Sequence, residues 1–146
     1  ILNQILFSGY INPFLYIILI ISLPTGTSKW FLLTYAFLIG FLIDIFSSSL
    51  GFHSTACVFI AFIKPFISKI TIPHNILGEM DDINMWKIGV KTYIIFALII
   101  ILIHHSCLFI LENIDFNIQI LGKVVSSSIT TLIILCIVQL AIKKNK

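Results

Sequence analysis

An all-α integral membrane bundle is the fold class this sequence predicts, with about five complete transmembrane helices and the remnant of one before them. Three observations predict it. Of the 146 residues, 59% are hydrophobic and only 10% charged, and the mean hydropathy is +1.12, a balance foreign to water-soluble domains. The apolar residues fall in runs close to the length of a helix crossing a hydrocarbon core of roughly 30 Å, separated by Pro, Gly and Ser turns. The nine basic residues are all lysines, set against six acids, and they concentrate in alternate loops. By length the chain is one transmembrane domain, residues 1–146. Its net charge of +3 is scattered between apolar runs and gathered on no face, so it sets orientation in a membrane and gives no sign of nucleic-acid binding.

The opening ILNQILF is apolar but too short to span, and reads as the end of a helix that begins upstream. Residues 10–23 follow, closed by Pro24. Asn12 suits an N-cap and Pro13 the first helical position. Such a helix reaches only about 21 Å at its usual rise, so this span is short, tilted or partly inserted. Residues 30–46 and 51–67 are two apolar runs joined by a tight Ser/Gly turn, with Asp44 just before it and His53 just after. They form a transmembrane hairpin. Ala36, Gly40 and Asp44 share one helical stripe, which sets the acid on a face whose small residues admit another helix. His53, Cys57, Ile60 and Lys64 share a stripe on the second helix, whose far end is marked by Lys64-Pro65, because proline disfavours helical geometry before it. Residues 68–89 are mixed, with Pro73 and Gly78 as breakers and Glu79, Asp81 and Asp82 among the charges; this is the one sizeable extramembrane loop. Residues 90–111 and 121–142 are the last spans, joined by the acidic turn ENIDFNIQ. Ser126, Ser127, Ser128, Thr130 and Thr131 can bond their own helix or a neighbour.

Orientation follows from the lysines. With the KKNK tail in the cytoplasm, alternating loops place Lys29, Lys64, Lys69, Lys87, Lys91, Lys143, Lys144 and Lys146 inside and only Lys123 outside. The loop 68–89 is then cytoplasmic, the C-terminus is cytoplasmic, and Trp30 and Trp86 fall at the inner interface. Carried back to the start, the alternation implies six spans with both termini inside, the first represented here by its outer end.

Chemistry-bearing residues are few. Asp44 and His53 lie at one depth, nine residues apart across a turn, and ionisable groups there must face protein or water. They read as a pair that fixes the hairpin; the alternative is a proton relay or ligand site, and a relay would need a third ionisable group to continue it. On the first reading an asparagine at 44 would serve nearly as well. His104 and His105 are adjacent, so their side chains diverge by about 100° and do not share a metal as residues four apart can. Cys57, Cys107 and Cys136 are odd in number and lie within apolar runs, as reduced packing residues do. No nucleophile elbow surrounds the Ser47–Ser49 or Ser126–Ser128 runs, and there is no phosphate loop or dinucleotide fingerprint. The reading is a non-enzymatic protein with no catalytic, cofactor-binding or metal-binding residues and no cofactor.

GYINPFLYIILIISLP, LTYAFLIGFLIDIFSSSLGFHSTACVFIAFIKPF and ILIHHSCLFILE together resemble the MreD family of rod shape-determining membrane proteins in its Bacteroidetes form. The resemblance runs from Asn3-Gln4 to the final span and is most specific in the hairpin, at Gly40, Asp44, Gly51, His53, Ala56 and Lys64-Pro65, with Asn12, Pro13 and Pro24 in the segment before it. The family often has arginine before that proline. The resemblance implies a multi-pass protein of the bacterial inner membrane, similar in fold to the substrate-binding subunits of energy-coupling-factor vitamin transporters. It implies a scaffold that organises peptidoglycan synthesis and cell shape, with MreC as close partner, MreB, RodA and a penicillin-binding transpeptidase in the wider assembly, and membrane lipid around it. The alternative is a transporter's substrate-binding subunit. That role needs convergent polar groups in an outward pocket, and the outer-half set of Asp44, His53, His104, His105 and Glu112 is thin for it.

Overall fold

The computed structural model describes residues 13–77, 82–112 and 118–144. The expected helix remnant and Asn12 lie outside the described residues, as do Gly78, Glu79 and Asp81, residues 113–117 of the acidic turn, and Asn145 and Lys146 of the tail. Among the described residues there are seven helices and no strand: α1 (Ile17–Ile21), α2 (Lys29–Ser47), α3 (Phe52–Thr71), α4 (His74–Leu77), α5 (Met85–Ile88), α6 (Val90–Glu112) and α7 (Ile118–Lys144). Four of them, α2, α3, α6 and α7, are long and apolar enough to cross a membrane. The protein is therefore an all-helical bundle of membrane-spanning character.

Residues 10–23 depart from expectation. Helix covers only Ile17–Ile21, and it starts after Tyr16 and not at Pro13. A five-residue helix cannot satisfy its own ends, and in lipid an unmet carbonyl is costly. This one is held inside the bundle, with Phe14, Ile17, Ile20 and Ile21 buried. Pro24 follows its C-cap, Ser22, as expected.

The hairpin is formed by α2 and α3, which make the most extensive helix pairing in the bundle. The buried residues of α2 are Leu32, Ala36, Gly40 and Asp44, one every fourth position. The expected stripe of α3 is also buried throughout: His53, Cys57, Ile60 and Lys64. At Gly40 the backbones come very close. A Cβ there would sit 2.7 Å from both the His53 carbonyl oxygen and the Ser54 nitrogen, and closer still to Ser54 Cα. The turn uses left-handed backbone at Ser48 (φ 53°) and Gly51 (φ 87°); only glycine adopts the latter without strain.

Pro65 does not end α3, which runs on to Thr71. Proline inside a helix removes one hydrogen bond and costs about 3 kcal/mol. Here the segment beyond it buries Ile67, Ser68 and Ile72, and Ser68 Oγ donates to the Pro65 carbonyl at 3.0 Å. Packing outweighs local preference.

Helix α6 runs through the middle, touching α1, α3, α5 and α7. Tyr93, Phe96, Ala97, Ile100, Ile101, His104, His105 and Leu108 are all fully buried, the 3–4 spacing of a single face. On α7 the inward residues are Val124, Ser127, Ser128, Thr131, Leu135 and Gln139. The hydroxyls bond within the helix as expected: Ser126 to the Gly122 carbonyl, Thr130 to that of Ser126 and Thr131 to that of Ser127. Outward positions such as Phe41, Phe62, Phe66, Ile133 and Ile137 are large, apolar and exposed, as lipid contact requires.

The described part of residues 68–89 is less of a free loop than its composition suggests: Ser68–Thr71 continue α3. Ile83, Met85 and Ile88 are buried. The Ile83 amide donates to the Ser22 carbonyl at 3.0 Å, Thr25 Oγ1 to the Leu77 carbonyl at 2.6 Å, and Trp86 Nε1 to the Gln139 carbonyl at 3.2 Å. The segment thus ties the α1–α2 connection to the end of α7.

Gly40 tests the packing of the hairpin. Gly40→Ala drives a methyl into the α3 backbone, and overpacking of this kind costs about 1–3 kcal/mol. The thermal midpoint of the purified protein in detergent will fall accordingly, and Gly40→Leu will leave little folded protein in the membrane. An unchanged midpoint for Gly40→Ala would show that the two helices are not this close.

Candidate functional site: the capped hairpin and its histidine cluster

Helix α3 begins after Gly51, which has no side chain to cap it. The amide groups of a helix's first turn lack partners within the helix. At the second and third helical positions, where an N-cap oxygen normally bonds, those amides belong to His53 and Ser54. Asp44 supplies the acceptor from the other helix. Its Oδ1 accepts from the His53 amide at 3.0 Å and its Oδ2 from the Ser54 amide at 2.9 Å. Ser54 Oγ donates to Oδ2 and Ser49 Oγ to Oδ1, each at 2.5 Å. The same residue's carbonyl ends α2, accepting from Ser48 and, at 3.1 Å, from Ser49. One residue thus terminates one helix and starts the next. The carboxylate, buried at 4% exposure, also meets the positive end of the α3 dipole.

His53 completes the arrangement. Its Nδ1 lies 3.1 Å from Asp44 Oδ1 and 3.1 Å from Ser49 Oγ. Since a carboxylate only accepts, these contacts place a proton on Nδ1. The expected contact of Asp44 with His53 is thus present, as one of five bonds to the carboxylate. The expectation for asparagine at 44 needs correction: an amide has one acceptor atom, and its NH2 would face the donors of Ser54 or those of Ser49 and His53.

Phe14 and Tyr16 seat against the histidines. The Phe14 ring centroid is 5.7 Å from that of His53, 5.8 Å from His104 and 5.1 Å from His105. Tyr16 Oη and His104 Nε2 are 3.1 Å apart, while His104 Nδ1 has no partner among the described residues. His105 Nδ1 donates to the Ile101 carbonyl at 2.8 Å and its Nε2 faces Thr131 Oγ1 at 3.3 Å. The adjacent histidines thus diverge to α1's entry on one side and α7 on the other. Among the described residues no three His, Cys, Asp or Glu side chains converge as metal ligands would, and all three cysteines are free thiols.

Lys64 repeats the logic of Asp44 with the opposite sign. Its stem and ammonium are buried at 2% exposure, and Nζ donates to the Ile20 carbonyl at 2.8 Å and the Leu23 carbonyl at 2.6 Å. It caps the end of α1, where the carbonyls carry partial negative charge. The placing of Lys64 among cytoplasmic loop lysines is therefore corrected: it lies inside the bundle and counts for nothing in the charge bias. Two carbonyls suit an ammonium, so this position needs no guanidinium fork.

Of the other residues singled out in sequence, Gly40 and Gly51 sit at the close approach and the turn, and Ala56 is fully buried beside them in α3. Pro65 lines a surface groove, and Pro13 and Pro24 flank α1. The partners that sequence reasoning missed are Ser49, Ser54, Phe14 and Tyr16. The two serines were detectable, standing five and ten positions after an acid that needed donors. Compared with protein-family models, curated proteins and solved structures, the chain matches none.

Substitution at 44 measures the cap. A buried donor left without an acceptor costs about 1–3 kcal/mol. Asp44→Asn will therefore lower the unfolding midpoint of the purified protein, and Asp44→Leu, which removes every acceptor, will lower it further. Wild-type stability for Asp44→Asn would mean that the carboxylate is not the cap of α3.

Proposed function

We propose that this protein is a scaffold subunit of the bacterial cell-elongation (rod) complex, a multi-pass protein of the inner membrane that helps organise peptidoglycan synthesis. One observation carries the scaffold reading: Asp44 and Lys64, the buried acid and the buried base, are both engaged in holding one helix to another. Asp44 is occupied by the first turn of α3, and Lys64 by the carbonyls of Ile20, in the last turn of α1, and Leu23, just beyond it. Solute-binding subunits instead need polar groups directed into a cavity. Cavities of about 480, 480 and 430 Å³ are lined chiefly by apolar side chains on α2, α3 and α6. The choice of the rod complex rests on the residue resemblance, centred on Gly40, Asp44, Gly51, His53, Ala56 and Lys64-Pro65. MreC is the partner it implies, with MreB, RodA and a penicillin-binding transpeptidase further out.

Depletion of the protein in its own bacterium separates scaffold from importer. Rod cells will round up, no added vitamin will restore their shape, and affinity capture from membranes before depletion will bring MreC with it. Unchanged shape with growth rescued by a vitamin would overturn the scaffold reading in favour of a transporter subunit.

A further inference from the structure

A groove on the outside of the hairpin has the two halves of a lipid site. Because α2 and α3 are antiparallel, Lys29 at the start of α2 and Lys69 near the end of α3 lie at the same end, opposite the Ser48–Gly51 turn. Between them opens a cavity of about 480 Å³ lined by Leu32, Leu33, Ala61, Phe62 and Phe66. A second cavity of about the same volume continues it along the helices, sharing Leu33 and Phe62 and adding Phe37, Val58 and Phe59. The result is an apolar track with two cations at one end. Both lysines are exposed, and among the described residues neither forms a salt bridge. Trp30, 83% exposed beside Lys29, marks this level as membrane–water interface, where such rings settle.

We propose that this groove binds one anionic phospholipid, its phosphate between Lys29 and Lys69 and an acyl chain along Leu33, Phe37, Phe59 and Phe62. The charge decides the occupant. A neutral lipid would use the apolar track and leave two ammonium groups unanswered. A basic pair between membrane helices matches an anionic headgroup, and the start of α2 adds the positive end of a 19-residue helix. The acyl track makes the ligand a whole lipid in place of a free phosphate ion.

Native mass spectrometry of the full chain in detergent, titrated with phosphatidylglycerol or with phosphatidylcholine of the same acyl chains, tests this. Each lysine near an anionic headgroup is worth about fivefold in affinity, so phosphatidylglycerol will bind at least about tenfold tighter. Lys29→Gln with Lys69→Gln will abolish that preference, whereas Lys91→Gln, an exposed lysine at the start of α6, will keep it. Leu33→Trp will fill the track and weaken both lipids, with circular dichroism confirming the fold. Inorganic phosphate in excess will not displace the lipid. Equal binding of the two lipids by the wild type would overturn the proposal, as it would if the groove seats a partner helix. Full preference in the double variant, or displacement by phosphate, would overturn it too.

Discussion

A carboxylate can stay buried in this bundle because a helix begins against it. Removing Asp44 from water is costly, and the compensation comes from the least satisfied part of any helix, the amides of its first turn. The two deficits cancel: Gly51 offers α3 no cap, and the stripe of α2 holds an acid that no lysine pairs with among the described residues. Lys64 repeats the exchange at the opposite polarity, taking the carbonyls that α1 is too short to satisfy. The acid's site and the base lie eleven residues apart along α3, or about 16 Å, too far for a direct pair. Each charge is answered by a helix end.

This places strong demands on geometry. Side-chain capping between helices works only if the backbones approach closely, and Gly40, one turn before Asp44, permits that approach. The caps also fix the order of the bundle. Helix α3 receives its cap from α2 and gives one to α1, while α6 packs along it with His104 beneath Tyr16 and Phe14. In lipid, where apolar contact alone distinguishes little between one helix and another, a few polar contacts and close approaches specify the arrangement. Capping also leaves these groups with little capacity for a solute, which favours a structural role.

Much of this was legible in the chain. The four long spans, the hairpin and the stripe from Ala36 to Asp44 follow from run length and spacing, because bilayer thickness and helical period are fixed. The pairing of Asp44 with His53 follows from their positions about one turn. Three features escaped. The main partners of Asp44 are backbone amides, which a sequence does not display. Lys64 shares the buried stripe of His53, Cys57 and Ile60, yet lysine beside proline suggests a helix end, and only the carbonyls of a helix forty residues earlier explain its burial. The face of α6 was hidden because that helix is apolar all round; Tyr93, His104 and His105 mark its inward side, since in a membrane the polar residues point in.

The short helix α1 is the clearest case of tertiary control. YIILII is apolar throughout, yet helix covers only Ile17–Ile21; Lys64 bonds the carbonyl of Ile20 within it and that of Leu23 just beyond, and the rings of Phe14 and Tyr16 cover three histidines. Capping of α3 by Asp44 is the central element and can be observed directly. Amide hydrogen exchange of the protein in lipid nanodiscs, comparing wild type with Asp44→Ala, reports the His53 and Ser54 amides against that of Ile60 on the same helix. If Asp44 is the cap, loss of one hydrogen bond accelerates His53 and Ser54 by about tenfold relative to Ile60. If all three amides speed up together, or none does, Asp44 does not hold the start of α3.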